Sequence, residues 1–184
     1  MEGVFVISPL SQSTIDGLSV GNKVLVSGVI YTARDAAHSR MVTALEKGEK
    51  LPFDVKGQTI YYMGPSPARP GAVIGAAGPT TSWRMDRFTP QLLEAGLTVM
   101  MGKGRRSHEV VDFIKKHKAV YFATIGGAGA LLAEHIKKAE VVAYDDLGAE
   151  AILRLEIDDF PAVVAVDSHG GDIFKEGPAG FYKV

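Results

Sequence analysis

Apolar and polar positions change rhythm along the chain, and that rhythm predicts the elements. Lys23–Tyr31 (KVLVSGVIY) is rich in Val, Ile and Tyr, side chains that suit a pleated, half-buried surface, and it reads as a strand. From Asp35 to about Lys47, Ala, Met and Leu gather on one side at helical spacing, and Gly48 stands where a helix stops. Gln58–Met63 and Ala72–Ile74 read as further strands. The GPSPARPG stretch between them carries three prolines, each of which removes a ladder donor, so it cannot continue a strand.

The second half alternates strand and helix. A helix near Pro90–Ala95 leads into a strand over Leu97–Met101. Ser107 is placed to cap a helix through Lys116, whose Val110, Phe113, Ile114 and His117 share one face. A strand over Val120–Thr124 follows, then GGAG, a helix over Ala130–Lys137 and a strand over Glu140–Tyr144. This order predicts a mostly parallel sheet with helices packed on it. Further on, Leu153, Leu155 and Ile157 alternate with Arg154, Glu156 and Asp158, the pattern of a strand with one wet face. Ala162–Val166 is apolar throughout and reads as a central strand. No repeat, low-complexity tract or linker divides the chain, so residues 1–184 read as one α/β domain.

Charge and composition narrow the function classes. Twenty Lys and Arg against 21 Asp and Glu give a net charge of -1, so nothing steers the chain toward nucleic acid or an anionic membrane. No apolar run approaches the roughly 20 residues of a spanning helix, and MEGVFVISPL has no basic start or long apolar stretch of a signal peptide. The expected compartment is the cytoplasm. There is no cysteine, which excludes disulfides, thiolate zinc sites and an iron–sulfur cluster held by this chain alone.

Three strand-to-helix turns carry the candidate chemistry. In Gly78-Pro79-Thr80-Thr81-Ser82-Trp83-Arg84-Met85-Asp86, consecutive hydroxyls and the amides at a helix start can donate to an anion. Arg84 can add a bidentate guanidinium to the same point. The plainer reading has Thr80, Thr81 and Ser82 capping the helix and Arg84 paired with a surface acid. Arg34-Asp35-Ala36-Ala37-His38 follows a strand, where active-site groups of α/β sheets gather, and Asp35 and His38 share a helical face. Its plainer reading makes Asp35 a cap and leaves Arg34 and His38 solvated. Gly102-Lys103-Gly104-Arg105-Arg106-Ser107 offers a compact ammonium between glycines, or else a merely solvated basic loop. Cations on three turns that can converge on one sheet edge point to a small polyanionic substrate such as a dicarboxylate.

A rival signal is Gly126-Gly127-Ala128-Gly129 with Asp145 and Asp146 beyond the next strand, which imitates a dinucleotide fingerprint. Leu132 stands where the third glycine belongs, so a tight packing turn competes with a nucleotide site. The five histidines are scattered, and only His169 and Asp172, in DSHGGD, form a pair; that stretch reads as a hairpin turn.

RDAAHSR, GPTTSWRMD, MGKGRRS and IGGAGALLA, in this order and spacing, resemble the β subunit, or C-terminal half, of class I iron–sulfur-dependent fumarate hydratases and the related L-tartrate dehydratases. The later EAILRLEIDDFPAVVAVDSHG is also similar to this family, and the likeness runs from about Gly17 to the C-terminus. It implies a swivelling β/β/α fold and a partner α subunit whose three cysteines bind a 4Fe-4S cluster, with the open iron acting as Lewis acid. It also implies a heterotetramer of two α and two β subunits. Position by position, Arg34 and Arg84 would clamp substrate carboxylates with help from Lys103, and Thr80 would be the proton-abstracting base. Asp35, His38, Thr81 and Asp86 would support them. The implied reaction is reversible hydration of fumarate to (S)-malate, with tartrate dehydration as the alternative within the class. From another class, the chain reads as a stand-alone anion- or nucleotide-binding module. Trp83 departs from the smaller residue of many fumarases.

Overall fold

The structure, a computed structural model, describes residues 3–179. Its elements in chain order are β1 (Val4–Ser8), α1 (Gln12–Asp16), β2 (Lys23–Thr32), α2 (Asp35–Glu46), β3 (Thr59–Tyr61), α3 (Thr89–Glu94), β4 (Val99–Gly102), α4 (His108–Lys116), β5 (Val120–Ala123), α5 (Gly129–Glu134), β6 (Ile136–Ala143), β7 (Ile152–Val166) and α6 (Ile173–Ala179). Two 3-10 turns, Ser82–Met85 and Asp145–Glu150, complete it. The fold is α/β, as the alternation predicts.

The sheet is mixed rather than mostly parallel. Parallel pairs join β1–β2, β2–β3, β3–β4 and β4–β5, whereas β7 runs antiparallel to β2, β5 and β6. Because β7 pairs with both β5 and β2, strands β2, β3, β4, β5 and β7 close into a five-stranded barrel. β1 extends the wall alongside β2, and β6 alongside β7. Closure needs a sharply bent β2, and Gly28 supplies the bend. It sits at a register shift with φ 105°, and a Cβ there would lie 2.3 Å from the Ser8 carbonyl oxygen.

Alternation along the strands builds two cores. Val24, Val26, Tyr61, Met101, Phe122, Leu155, Phe160 and Val164 belong to the cluster that fills the barrel. Ile60, Met100, Tyr121 and Ala165 point the other way and pack against Met41 of α2, Leu92 of α3 and Ile114 of α4. Each such buried aliphatic side chain is worth roughly 1.5–3 kcal/mol. Ser107 caps α4 as predicted, its Oγ accepting from the Val110 N–H at 3.2 Å.

Three expectations change, and one strand is added to those that the sequence predicts. Ala72–Ile74 is not a strand: the proline-rich segment forms a loop pinned by Ser66, whose Oγ accepts from the Ala76 N–H at 2.8 Å. The helix expected to reach Lys137 stops at Glu134, because Ile136 already pairs with Ile157 and starts β6. The two strands expected around Asp158-Asp159-Phe160-Pro161 are one strand, β7. It turns at Asp159, whose φ is 48°, and the Asp159 N–H donates to Ser27 Oγ at 2.9 Å. Val4–Ser8 is a strand, although its short apolar run carries no turn signal of its own. DSHGGD does turn back on itself, through a Val166–Asp172 bridge.

Candidate active site

Strands β2, β3, β4 and β5 run parallel, so their C-terminal ends share one edge of the barrel, the place where α/β sheets put their chemistry. Arg34 follows β2, Lys103 follows β4 and the GGAG turn follows β5. The Gly78–Met85 segment crosses this edge between β3 and β4. Its Pro79 bridges to Met63, and the Thr80 N–H donates to the Tyr62 carbonyl at 2.7 Å. The Lys103 N–H donates to the Thr80 carbonyl at 3.3 Å, and the Ser82 N–H donates to the Lys103 carbonyl at 2.8 Å. Backbone bonds, not side chains, therefore hold Thr80, Thr81 and Lys103 side by side.

The three hydroxyls do not act alike. The plainer reading holds in one half and fails in the other: Arg84 does pair with an acid, Asp35, but Thr81, the residue before the 3-10 turn, makes no side-chain cap. Ser82 is buried, and its Oγ shares a hydrogen bond with Tyr121 Oη at 2.9 Å. Burial raises the Tyr121 pKa, so this phenol stays protonated and passes the contact on to the Gly104 carbonyl at 2.9 Å. Thr80 and Thr81 remain partly exposed.

Arg34, Asp35 and Arg84 form one chain of ionic contacts. Arg84 Nε donates to Asp35 Oδ1 at 3.0 Å, and its Nη2 lies 3.0 Å from Oδ2. Arg34 Nη2 is 4.0 Å from the same carboxylate and 3.6 Å from Glu150 Oε1. Asp35 is not the cap. Arg34 occupies that position, and Glu150 Oε2 accepts from the Ala36 N–H at 2.9 Å, adding negative charge at the α2 N-terminus. Glu150 lies 114 positions away and gives no local signal. Arg34 is only partly solvated: its side chain is 22% exposed and its Nε is buried without an acceptor.

His38 is fully buried, and Asp86, which lines a hollow beside Arg84, is taken up by Arg106. His38 Nδ1 lies 2.9 Å from the Arg34 carbonyl. A carbonyl only accepts, so Nδ1 carries the proton and Nε2 is bare; that atom has no partner. Burial pushes the His38 pKa down to about 4, so the ring is neutral. Asp86 Oδ1 accepts from Arg106 Nε at 2.6 Å, and Oδ2 accepts from the Ser107 N–H at 2.6 Å. The Arg106 side chain is fully buried between Tyr62 and Tyr121, with Nη2 donating to Thr89 Oγ1 at 2.7 Å. Burial opposes its charge, but Tyr62, Asp86 and Tyr121 outweigh it and raise its pKa. This pair clamps the Lys103 loop to the Arg84 turn. Sequence reasoning passed over Arg106 because its loop reads as uniformly basic.

The GGAG turn is a packing device. A Cβ at Gly129 would lie 2.9 Å from the Gly78 nitrogen, so the glycine lets this turn abut the Pro79-Thr80 segment. The Ala77 N–H donates to the Gly129 carbonyl at 2.9 Å. Asp146, the candidate ribose acid, instead pairs with Arg40. The His169–Asp172 pair is also used internally. His169 Nε2 lies 3.1 Å from the Asp16 carbonyl, and Asp172 Oδ1 accepts from the Phe174 N–H at 3.0 Å. Among the described residues no group of three or more His, Asp or Glu can hold a metal ion. Among them, too, no helix is long and apolar enough to cross a membrane.

Beside the Arg34–Asp35–Arg84 chain opens a shallow hollow of about 740 Å³ lined by Asp35, Trp83, Arg84, Arg87, Arg105 and Glu109 among others. Trp83 stands at its rim, 65% exposed. Thr80, Lys103 and Arg34 lie outside this hollow's lining, which unites only part of the expected set.

A family model described as Fumarase C-terminus matches residues 3–177. The aerobic class I fumarate hydratase of Salmonella typhimurium is 42% identical over 159 residues, 85% of this chain and 27% of that protein. Fumarate hydratase 2 of Leishmania major is 38% identical over 159 residues, 85% of this chain and 28% of its own length. This chain thus spans under a third of either enzyme. A putative L(+)-tartrate dehydratase subunit beta of Methanocaldococcus jannaschii is 36% identical over 178 residues, 94% of this chain and 91% of that subunit. With nearly its whole length matched, the chain belongs to the Fumarase C-terminus family, whose members here include class I fumarate hydratases and a tartrate dehydratase β subunit.

Proposed function

We propose that residues 1–184 are one catalytic domain of the swivelling β/β/α type, acting in the cytoplasm as the β subunit of a hydro-lyase that hydrates fumarate reversibly to (S)-malate. The partner is an α subunit, with two copies of each chain in the active enzyme, and the substrate is a small dicarboxylate. The carrying observation is the shared barrel edge, where two guanidiniums joined through Asp35 stand on the same rim as Thr80 and Lys103.

The 4Fe-4S cluster of such enzymes does not fit this chain, which has no cysteine, and would be held by the partner's cysteines. What this chain contributes is grip and proton transfer. Arg34 and Arg84 each present a planar fork matched to a carboxylate, and Lys103 adds a compact charge. In the malate-to-fumarate direction, Thr80 Oγ1 takes the proton from carbon 3, while the hydroxyl leaves carbon 2 as water with a proton from an acid of the partner. A threonine oxygen is a poor base in water, so this role needs the neighbouring cations to favour its ionised form.

The tartrate reading has its own support, the match to nearly the full length of a separate β subunit. Co-expression with a cysteine-bearing α partner decides between the classes. Oxygen-sensitive fumarate hydration by the mixture, absent from either chain alone, is the expected result, and preference for L-tartrate moves the assignment to the second reading. Tight NAD or ATP binding by the lone chain, without hydro-lyase activity in the mixture, overturns both.

A further inference from the structure

We infer that Asp35 is a positioning residue that measures the substrate: it sets which edge of Arg84 faces the ligand and ties Arg84 to Arg34, fixing the distance between two carboxylate seats. The inference rests on the reading of Arg34 and Arg84 as carboxylate grips.

A guanidinium has two usable edges, one at Nε and Nη, the other at the two Nη atoms. Asp35 faces the first edge of Arg84: Nε donates to Oδ1 at 3.0 Å, and Nη2 lies 3.0 Å from Oδ2 as an ion-pair contact, leaving that oxygen without a hydrogen-bond donor. The second edge is left for a ligand, and its direction is no longer free. Arg84 needs such a guide, because its side chain is 44% exposed on a short 3-10 turn. Asp35 itself is firmly placed at the first position of α2, with its side chain only 23% exposed. The same carboxylate lies 4.0 Å from Arg34 Nη2, and Glu150 Oε1 lies 3.6 Å from that same nitrogen, both ionic contacts longer than a hydrogen bond. Two arginines from separate segments thus share one reference point. A diacid with one carboxylate on each arginine is read by that spacing, whereas a monoacid is not.

The test uses the complex with its α partner and the variants Asp35→Ala and Asp35→Asn. Inhibition constants are measured for malonate, succinate and glutarate, which differ only in chain length, beside kcat and KM for fumarate and a thermal melt. In the wild type the three constants should spread by about tenfold or more. Asp35→Ala should compress that spread to within about threefold and raise KM more than it lowers kcat. Asp35→Asn, which keeps the shape and loses the charge, should fall between them and serves if the alanine variant does not fold. A merely structural aspartate would lower the melting temperature and leave the spread intact; that result in a folded variant overturns the role of Asp35. A wild-type complex that hydrates nothing overturns the functional reading instead, and the role of Asp35 with it.

Discussion

Gly126 lies directly under the Lys103 side chain: a Cβ at position 126 would sit 3.3 Å from Lys103 Cδ and 3.7 Å from Nζ. The glycine of a turn that imitates a nucleotide motif thus makes room for the ammonium of a different turn. Gly126→Ala should push the flexible lysine aside by a few tenths of an ångström and leave the fold unchanged. Its KM for fumarate should rise by roughly three- to tenfold, less than in Lys103→Ala. Equal KM in wild type and Gly126→Ala, measured by steady-state kinetics of the complex, would separate the contact from binding.

Thr80 is held by its backbone on both sides, so its side chain can be removed with little loss of structure. If Oγ1 carries the proton, Thr80→Ala should lower kcat by about 100-fold or more with a much smaller change in KM, while Thr80→Ser retains part of the rate. A change confined to KM would demote Thr80 to a binding group.

Arg106 and Asp86 answer each other in a buried site, with Nε to Oδ1 at 2.6 Å. Arg106→Ala leaves the Asp86 charge without its partner, and the expected loss of unfolding free energy is about 3–5 kcal/mol. Removing both charges in Arg106→Met/Asp86→Leu should recover part of it. Denaturant melts of the two variants check this; a single variant as stable as the wild type would show that the clamp is not needed.

His38 makes stability depend on acid. Its pKa is 6.5 in the unfolded chain and about 4 in the folded one, because burial disfavours the charged ring. Above pH 6.5 both states are neutral there. As the pH falls from 6.5 toward 4 the unfolded chain gains a proton that the folded chain refuses, so stability drops, by roughly 3 kcal/mol in all. His38→Gln should lack this portion of the slope. Urea midpoints of both proteins at pH 7, 5.5 and 4 provide the comparison, and parallel slopes would contradict it.

The elements with strong periodicity were legible: β2, α2, α4 and β5 fall where their residues predict them. What the residues concealed is long-range. Nothing in Leu153–Asp158 or Ala162–Val166 says that they form one strand, because Asp158-Asp159-Phe160-Pro161 has the composition of a turn. The pairing of that strand to β2, β5 and β6 is what closes the barrel and makes the sheet mixed. At the site, Arg34, Arg84 and Lys103 stand out as cations on strand-to-helix turns. The partners of two of them do not: Glu150 reaches Arg34 across 116 positions and Asp35 reaches Arg84 across 49. His38, polar and helical, reads as surface until its Nδ1 is seen bonded to the carbonyl four residues back.

The most direct measurement is kcat/KM for fumarate in complexes carrying wild-type chain or Arg84→Ala. An arginine that grips a carboxylate shut away from water is worth on the order of 2–5 kcal/mol, so the variant should lose roughly 30- to 5,000-fold while its melting curve stays close to the wild type. Wild-type kinetics in a folded Arg84→Ala complex would remove that guanidinium from the substrate, and with it the barrel edge as the place where a diacid is held.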